Sequence, residues 1–138
     1  MRFLPRTVLA AAFVLGFQPL AHADSYTAIS NTAMSVTGDI DMDDFSITFA
    51  NGASMALSDL VADHFVVDGR DVPASVYRVA DPADPELENG NTLCGNGAVT
   101  YMASWGTGRD MTLAVFTSDE APESDAEMCA SYSYEIVG

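Results

Sequence analysis

Residues 99–117 read VTYMASWGTGRDMTLAVFT, two apolar-rich runs separated by the glycine-bearing break 106–110. Val99, Tyr101, Ala103 and Trp105 alternate with smaller or polar residues, and so do Met111, Leu113, Val115 and Thr117. Folded about the break, the runs form an antiparallel hairpin. Val99 then faces Thr117, Tyr101 faces Val115, Ala103 faces Leu113 and Trp105 faces Met111. A period of two puts these side chains on one face of a sheet. The same period continues downstream, where Met128, Ala130, Tyr132, Tyr134 and Ile136 turn inward and Cys129 falls on the outer face.

Upstream the alternation persists. Met34, Val36, Ile40 and Met42 share a parity, and Phe45, Ile47 and Phe49 share the next. Pairing Met42 with Phe45 and Ile40 with Ile47 gathers every apolar group on one face, which is what fixes a register. The following turn is predicted to be the three-residue loop Ala50-Asn51-Gly52, which sets Phe49 by Ala53, Ile47 by Met55 and Phe45 by Leu57. Gly52 then takes the left-handed position that such loops require. Residues 58–64 read as one helical turn. Residues 65–67 and 72–79 form a hairpin around Asp68-Gly69, with Pro73 at an edge or bulge because it has no N–H to donate. Residues 80–91, ADPADPELENGN, read as an acidic loop.

Seven or eight short antiparallel strands predict an all-β domain, a small barrel or a two-sheet sandwich, with the barrel preferred because closure removes exposed edges. Cys94 and Cys129 are the only cysteines. They lack the spacing of a redox or metal pair, and a structural disulfide is expected. In a meander the strands that start near these cysteines lie two positions apart, about 9–10 Å, beyond the roughly 7 Å that a disulfide spans between Cα atoms. Either residues 91–97 fold across the sheet, or the last strand pairs directly beside 98–105.

The first 23 residues read as a cleavable export signal: Arg2 and Arg6, the apolar run 8–17 (VLAAAFVLGF), Pro19, then Ala21-His22-Ala23 before Asp24. The apolar run is shorter than the ~20 residues that a bilayer span needs. Cutting between Ala23 and Asp24 leaves a single domain, 24–138, expected in the periplasm or outside the cell, where disulfides form.

All twenty acidic residues lie in that domain and are opposed only by Arg70, Arg78 and Arg109, a net charge of −17 without one lysine. Such a surface repels nucleic acid and anionic lipid, and attracts basic proteins or cations. Asp39, Asp41 and Asp43 are the candidate calcium ligands, since hard cations take several converging carboxylates. As an EF-hand loop the segment fails, because Asp44 stands where glycine is needed and Ala50 where glutamate is. His64 follows Asp63 on what should be a strand, so the two are expected to face opposite sides. No nucleophile elbow, phosphate loop or metalloprotease helix is present. Six methionines of the domain are spread out and read as core filler. Trp105, Tyr101, Tyr132 and Tyr134 are placed on the interior face, filling the barrel or lining a pocket.

In predicted fold and compartment the chain resembles the small disulfide-bearing periplasmic barrels that inhibit lysozyme. Those barrels use a lysine among their inhibitory residues, and this domain has none. The expectation is therefore a non-catalytic exported domain that binds a basic envelope protein or a small ligand, with no catalytic residues and no insertion into the membrane. The alternatives are a calcium-stabilised structural protein of the envelope and a small hydrolase with a carboxylate site.

Overall fold

The computed structural model describes residues 23–137. The expected export signal falls, apart from Ala23, on residues outside the described ones. Eight strands follow one another: β1 (Asp24–Ala28), β2 (Ile40–Met42), β3 (Ser46–Thr48), β4 (Ser54–Val67), β5 (Arg70–Ala83), β6 (Val99–Trp105), β7 (Asp110–Phe116) and β8 (Ala130–Ile136). Each pairs antiparallel with its neighbour in the chain. β8 returns to β1 through Tyr26↔Ile136 and Ala28↔Tyr134, so the sheet closes into a barrel. The barrel, not the sandwich, is the architecture.

The loop at Ala50-Asn51-Gly52 forms as expected. Ile47 pairs with Met55, the Phe49 N–H donates to Ala53 O at 2.8 Å, and Gly52 has φ +91°. Asp68 (φ +51°) and Gly69 (φ +77°) make the two-residue turn between β4 and β5, with Val67 opposite Arg70. Positive φ at both central residues gives the turn the twist that antiparallel strands need. Pro73 lies opposite His64, next to a break in the β4–β5 ladder, where no donor is required.

Several expectations are corrected. Residues 31–36 form a short helix, α1 (Asn31–Val36), and not a strand. Ser30 caps it by accepting the Ala33 N–H, and a local cap of this kind outweighs the alternation. Met34 is consequently 54 % exposed. β2 and β3 meet as Met42↔Ile47, two residues from the expected register, because the Asp43 carboxylate accepts the N–H groups of Phe45 and Ser46 and so widens the turn. The even shift keeps Ile40, Met42, Ile47 and Phe49 inside but turns Phe45 outward, 66 % exposed. Residues 58–64 are not a helical turn. They belong to β4, whose ladder breaks three times between Leu57 and His64, and those breaks spoil the alternation. Residues 80–83 continue β5 and are not loop.

The largest correction is on β6–β7. The register is Tyr101↔Phe116, Met102↔Val115 and Trp105↔Thr112, one residue from the expected pairing. A slip of one exchanges the faces. Met102, Leu113 and Val115 therefore pack inside the barrel with Tyr132 and Tyr134, while Tyr101, Ala103, Ala114 and Phe116 form a second core on the outer face. Tyr101 and Trp105 do not share the interior with Tyr132 and Tyr134. The outer core is covered by the far half of the β4–β5 hairpin, which folds back so that Phe65, 1 % exposed, stacks on Trp105 and meets Phe116 edge-on.

One barrel end is closed by α1 and by residues 84–98. Asn89 and Asn91 donate to Ser35 O, and Asn51 donates to Glu86 O. Leu87 and Leu93 are buried in the interior core. Cys94 and Cys129 are bonded, with Cα atoms 5.5 Å apart. Because β7 lies between β6 and β8, the bond forms only because 91–97 folds across the barrel end, the first of the two expected routes. Cys129 packs against the interior core and is not on the outer face.

Candidate functional site

The barrel interior is filled by side chains, and its phenols reach partners at the rims. Tyr134 Oη lies 2.7 Å from Thr37 Oγ1, itself fully buried. Tyr132 donates to Leu93 O at 2.6 Å and Tyr77 to the Asp44 carboxylate at 2.6 Å. Burial raises the pKa of all three. Tyr77, with Asp44 adding to the effect, and Tyr132, with Asp84 adding, are each pushed up to about 12. These groups organise the core.

At the surface the segment 117–129 builds a concavity. Its entry is held by Thr100 Oγ1, which donates to Ser118 O at 2.6 Å. Ser118 Oγ donates to Glu120 O, closing the first bend. The middle is tied to the folded-back hairpin, where Val66 N–H donates to Glu123 O at 3.0 Å and Val66 bridges Ser124. Asp68 N–H donates to the Asp125 carboxylate at 3.3 Å, and Pro122 is buried beneath. The disulfide at Cys129 fixes the exit.

The result is an open cleft of about 570 Å³ lined by Ser118, Asp119, Glu120, Ala121, Glu123, Ser124 and Glu127. Four carboxylates line it and no basic side chain does. The chemistry is that of a negative surface and not of a chelate, since among the described residues no three His, Cys, Asp or Glu side chains converge to hold a metal ion. It suits ammonium or guanidinium groups spaced along a chain. In the sequence the run SDEAPESDAE at 118–127 carries the signal of these four carboxylates as charge density alone, with nothing that marks a concavity.

The calcium candidates do not come together. Asp39 accepts Ala28 N–H at 2.9 Å, Asp41 accepts Ser25 Oγ at 2.6 Å, and Asp43 accepts Phe45 and Ser46 N–H. Each carboxylate serves its own turn or strand pair. His64 and Asp63, expected on opposite sides, are joined at 2.8 Å, because the ladder break at Ala62/His64 rotates the backbone between pairs. Asp63, accepting a hydrogen bond from the His64 ring, raises the His64 pKa with Asp71 adding to the effect, and the same bond lowers the pKa of Asp63. Both side chains are largely in solvent. Arg78 pairs with Asp59 at 2.9 Å and lies over the Tyr101 ring, while Arg109 reaches Glu135 and Ile136 O.

No protein-family model matches this chain, and neither a curated protein nor a solved structure does.

Proposed function

We propose that this protein is an exported, non-catalytic acidic β-barrel that captures a cationic polypeptide in the cell envelope. The observation that carries the reading is the 118–127 cleft, with four carboxylates around it and no cation in its lining. The rest of the surface offers little competition from within: of the three arginines among the described residues, Arg78 and Arg109 already engage Asp59 and Glu135. The cleft is also anchored at entry, middle and exit, so little ordering entropy is lost when a partner docks. The field of an acidic surface speeds encounter with a basic partner and disfavours acidic ones.

The test is anisotropy of a dye-labelled arginine-rich peptide titrated with the domain, against an acidic peptide of equal length. Binding of the basic peptide alone, lost as salt rises to about 0.5 M, supports the reading, because exposed attraction is screened over a few ångströms at that ionic strength. Replacing Glu120, Glu123 and Glu127 by glutamine should weaken binding about tenfold, which is ~1.4 kcal/mol. Equal affinity for both peptides, or an unchanged triple variant, defeats it.

A further inference from the structure

A second concavity lies on the outer face, where β6, β7 and the folded-back hairpin meet. Val72 and Pro73 form one wall, Gly106, Thr107 and Thr112 the other, with Trp105 and Asp110 completing a cleft of about 300 Å³. That is the size at which small-ligand pockets begin, roughly 300 Å³. Trp105 is held by its stack on Phe65, with ring centroids 5.6 Å apart and planes 30° apart, and is only partly covered. The indole is therefore a fixed platform with an accessible part, not a mobile surface ring.

The charge beside it is unbalanced. Asp110 is the register partner of Glu135, so two acidic residues sit directly across neighbouring strands. Cross-strand neighbours have Cβ atoms about 5 Å apart, and like charges there are destabilising. Arg109 answers Glu135 at 3.6 Å. Among the described residues no hydrogen bond or ion pair engages the Asp110 carboxylate. A partly exposed indole and a carboxylate with no partner among the described residues share one cleft, and these are two parts that recognise a guanidinium: an aromatic ring attracts the cation through its quadrupole, and the carboxylate accepts its N–H groups. Pro73 and Val72 offer apolar surface for the methylenes of the same side chain.

We propose that this cleft is a slot for one arginine side chain of the cationic partner. The proposal rests on the reading of the protein as a binder of basic polypeptides and names a specific anchor within it. The acidic 118–127 cleft then supplies attraction, and the Trp105 slot supplies side-chain recognition.

Trp105 is the only tryptophan, so its emission reports the slot directly. The experiment titrates the domain with an arginine-rich peptide and with the same peptide carrying citrulline, which keeps the shape and removes the charge. Anisotropy of a labelled copy follows total binding, and indole emission with the unlabelled peptide follows the slot. The expected result is a saturable emission change with the same midpoint as the anisotropy, absent with citrulline. Asp110→Asn should weaken binding about threefold to fivefold, as for a partly exposed ion pair, without altering the melting curve by more than a surface change does. Binding by anisotropy with silent indole emission overturns the slot but leaves the acidic-surface reading standing. So does wild-type affinity in Asp110→Asn, or an equal emission change with citrulline. No binding by either signal overturns both.

Discussion

Truncating Phe65 to alanine tests whether the β4–β5 hairpin is packed onto the barrel or stands free of it. Phe65 is 1 % exposed although it lies two residues from the end of β4, and it contacts the Trp105 and Phe116 rings with centroids 5.6 Å and 5.8 Å away. A phenylalanine on a free two-stranded arm would be solvated, and its removal would cost under about 0.5 kcal/mol. In the packed arrangement the loss combines the transfer energy of the ring with the cavity it leaves, about 3–5 kcal/mol for Phe→Ala. That is a third or more of the stability of many domains, ~5–15 kcal/mol. Phe65→Leu keeps most of the volume and should cost about 1.5 kcal/mol or less. Urea unfolding followed by far-ultraviolet circular dichroism and by Trp105 emission measures both variants. Phe65→Ala should also shift the native emission to the red, because the indole loses its stacking partner. A destabilisation below about 1 kcal/mol with unchanged emission would refute the outer core.

Reducing the disulfide, or replacing both Cys94 and Cys129 by alanine, releases a loop closed over a sequence separation of 35. The unfolded chain then regains entropy worth about 4 kcal/mol, read as a lower urea midpoint in reductant that the double variant reproduces without it. Alkaline pH should unfold the barrel through its core phenols. Folding raises the pKa of Tyr77 and Tyr132 to about 12 and that of Tyr134 as well, above the usual tyrosine value of 10.0. The unfolded chain therefore loses these protons first, so stability is full below pH 10 and falls as pH rises from 10 towards 12. Phenolate absorbance and circular dichroism should change together over that window; phenolate appearing near pH 10 with the fold intact would contradict the burial.

The legible parts of the fold were those with one apolar face. Ile47, Met55 and Leu57 could take only one register without exposing themselves, and Gly52 confirmed the turn between their strands. Residues 99–117 were harder to read because both faces are apolar. Tyr101 and Met102 are each buried, in different cores, so hydrophobicity cannot choose between two registers one residue apart. β1 was overlooked: its residues DSYTA alternate weakly and are mostly exposed. The cysteine pairing was readable from count alone, whereas its route across the barrel end depended on Leu93 being buried. For the candidate sites, charge density at 118–127 was visible but its concavity was not, since that depends on Val66 reaching across from another hairpin. The Trp105 slot was hidden for the same reason as the register: it belongs to the face that alternation had assigned to the interior.

Closure of the cylinder depends on a seam between its first and last strands. Tyr26 meets Ile136 across more than a hundred positions, so no shorter stretch can zip itself shut. Until 130–136 is available, Met55, Leu57 and Met102 line an open trough instead of a filled tube. Such a molecule is slow to mature, because distant partners must find each other before their contacts repay the lost freedom.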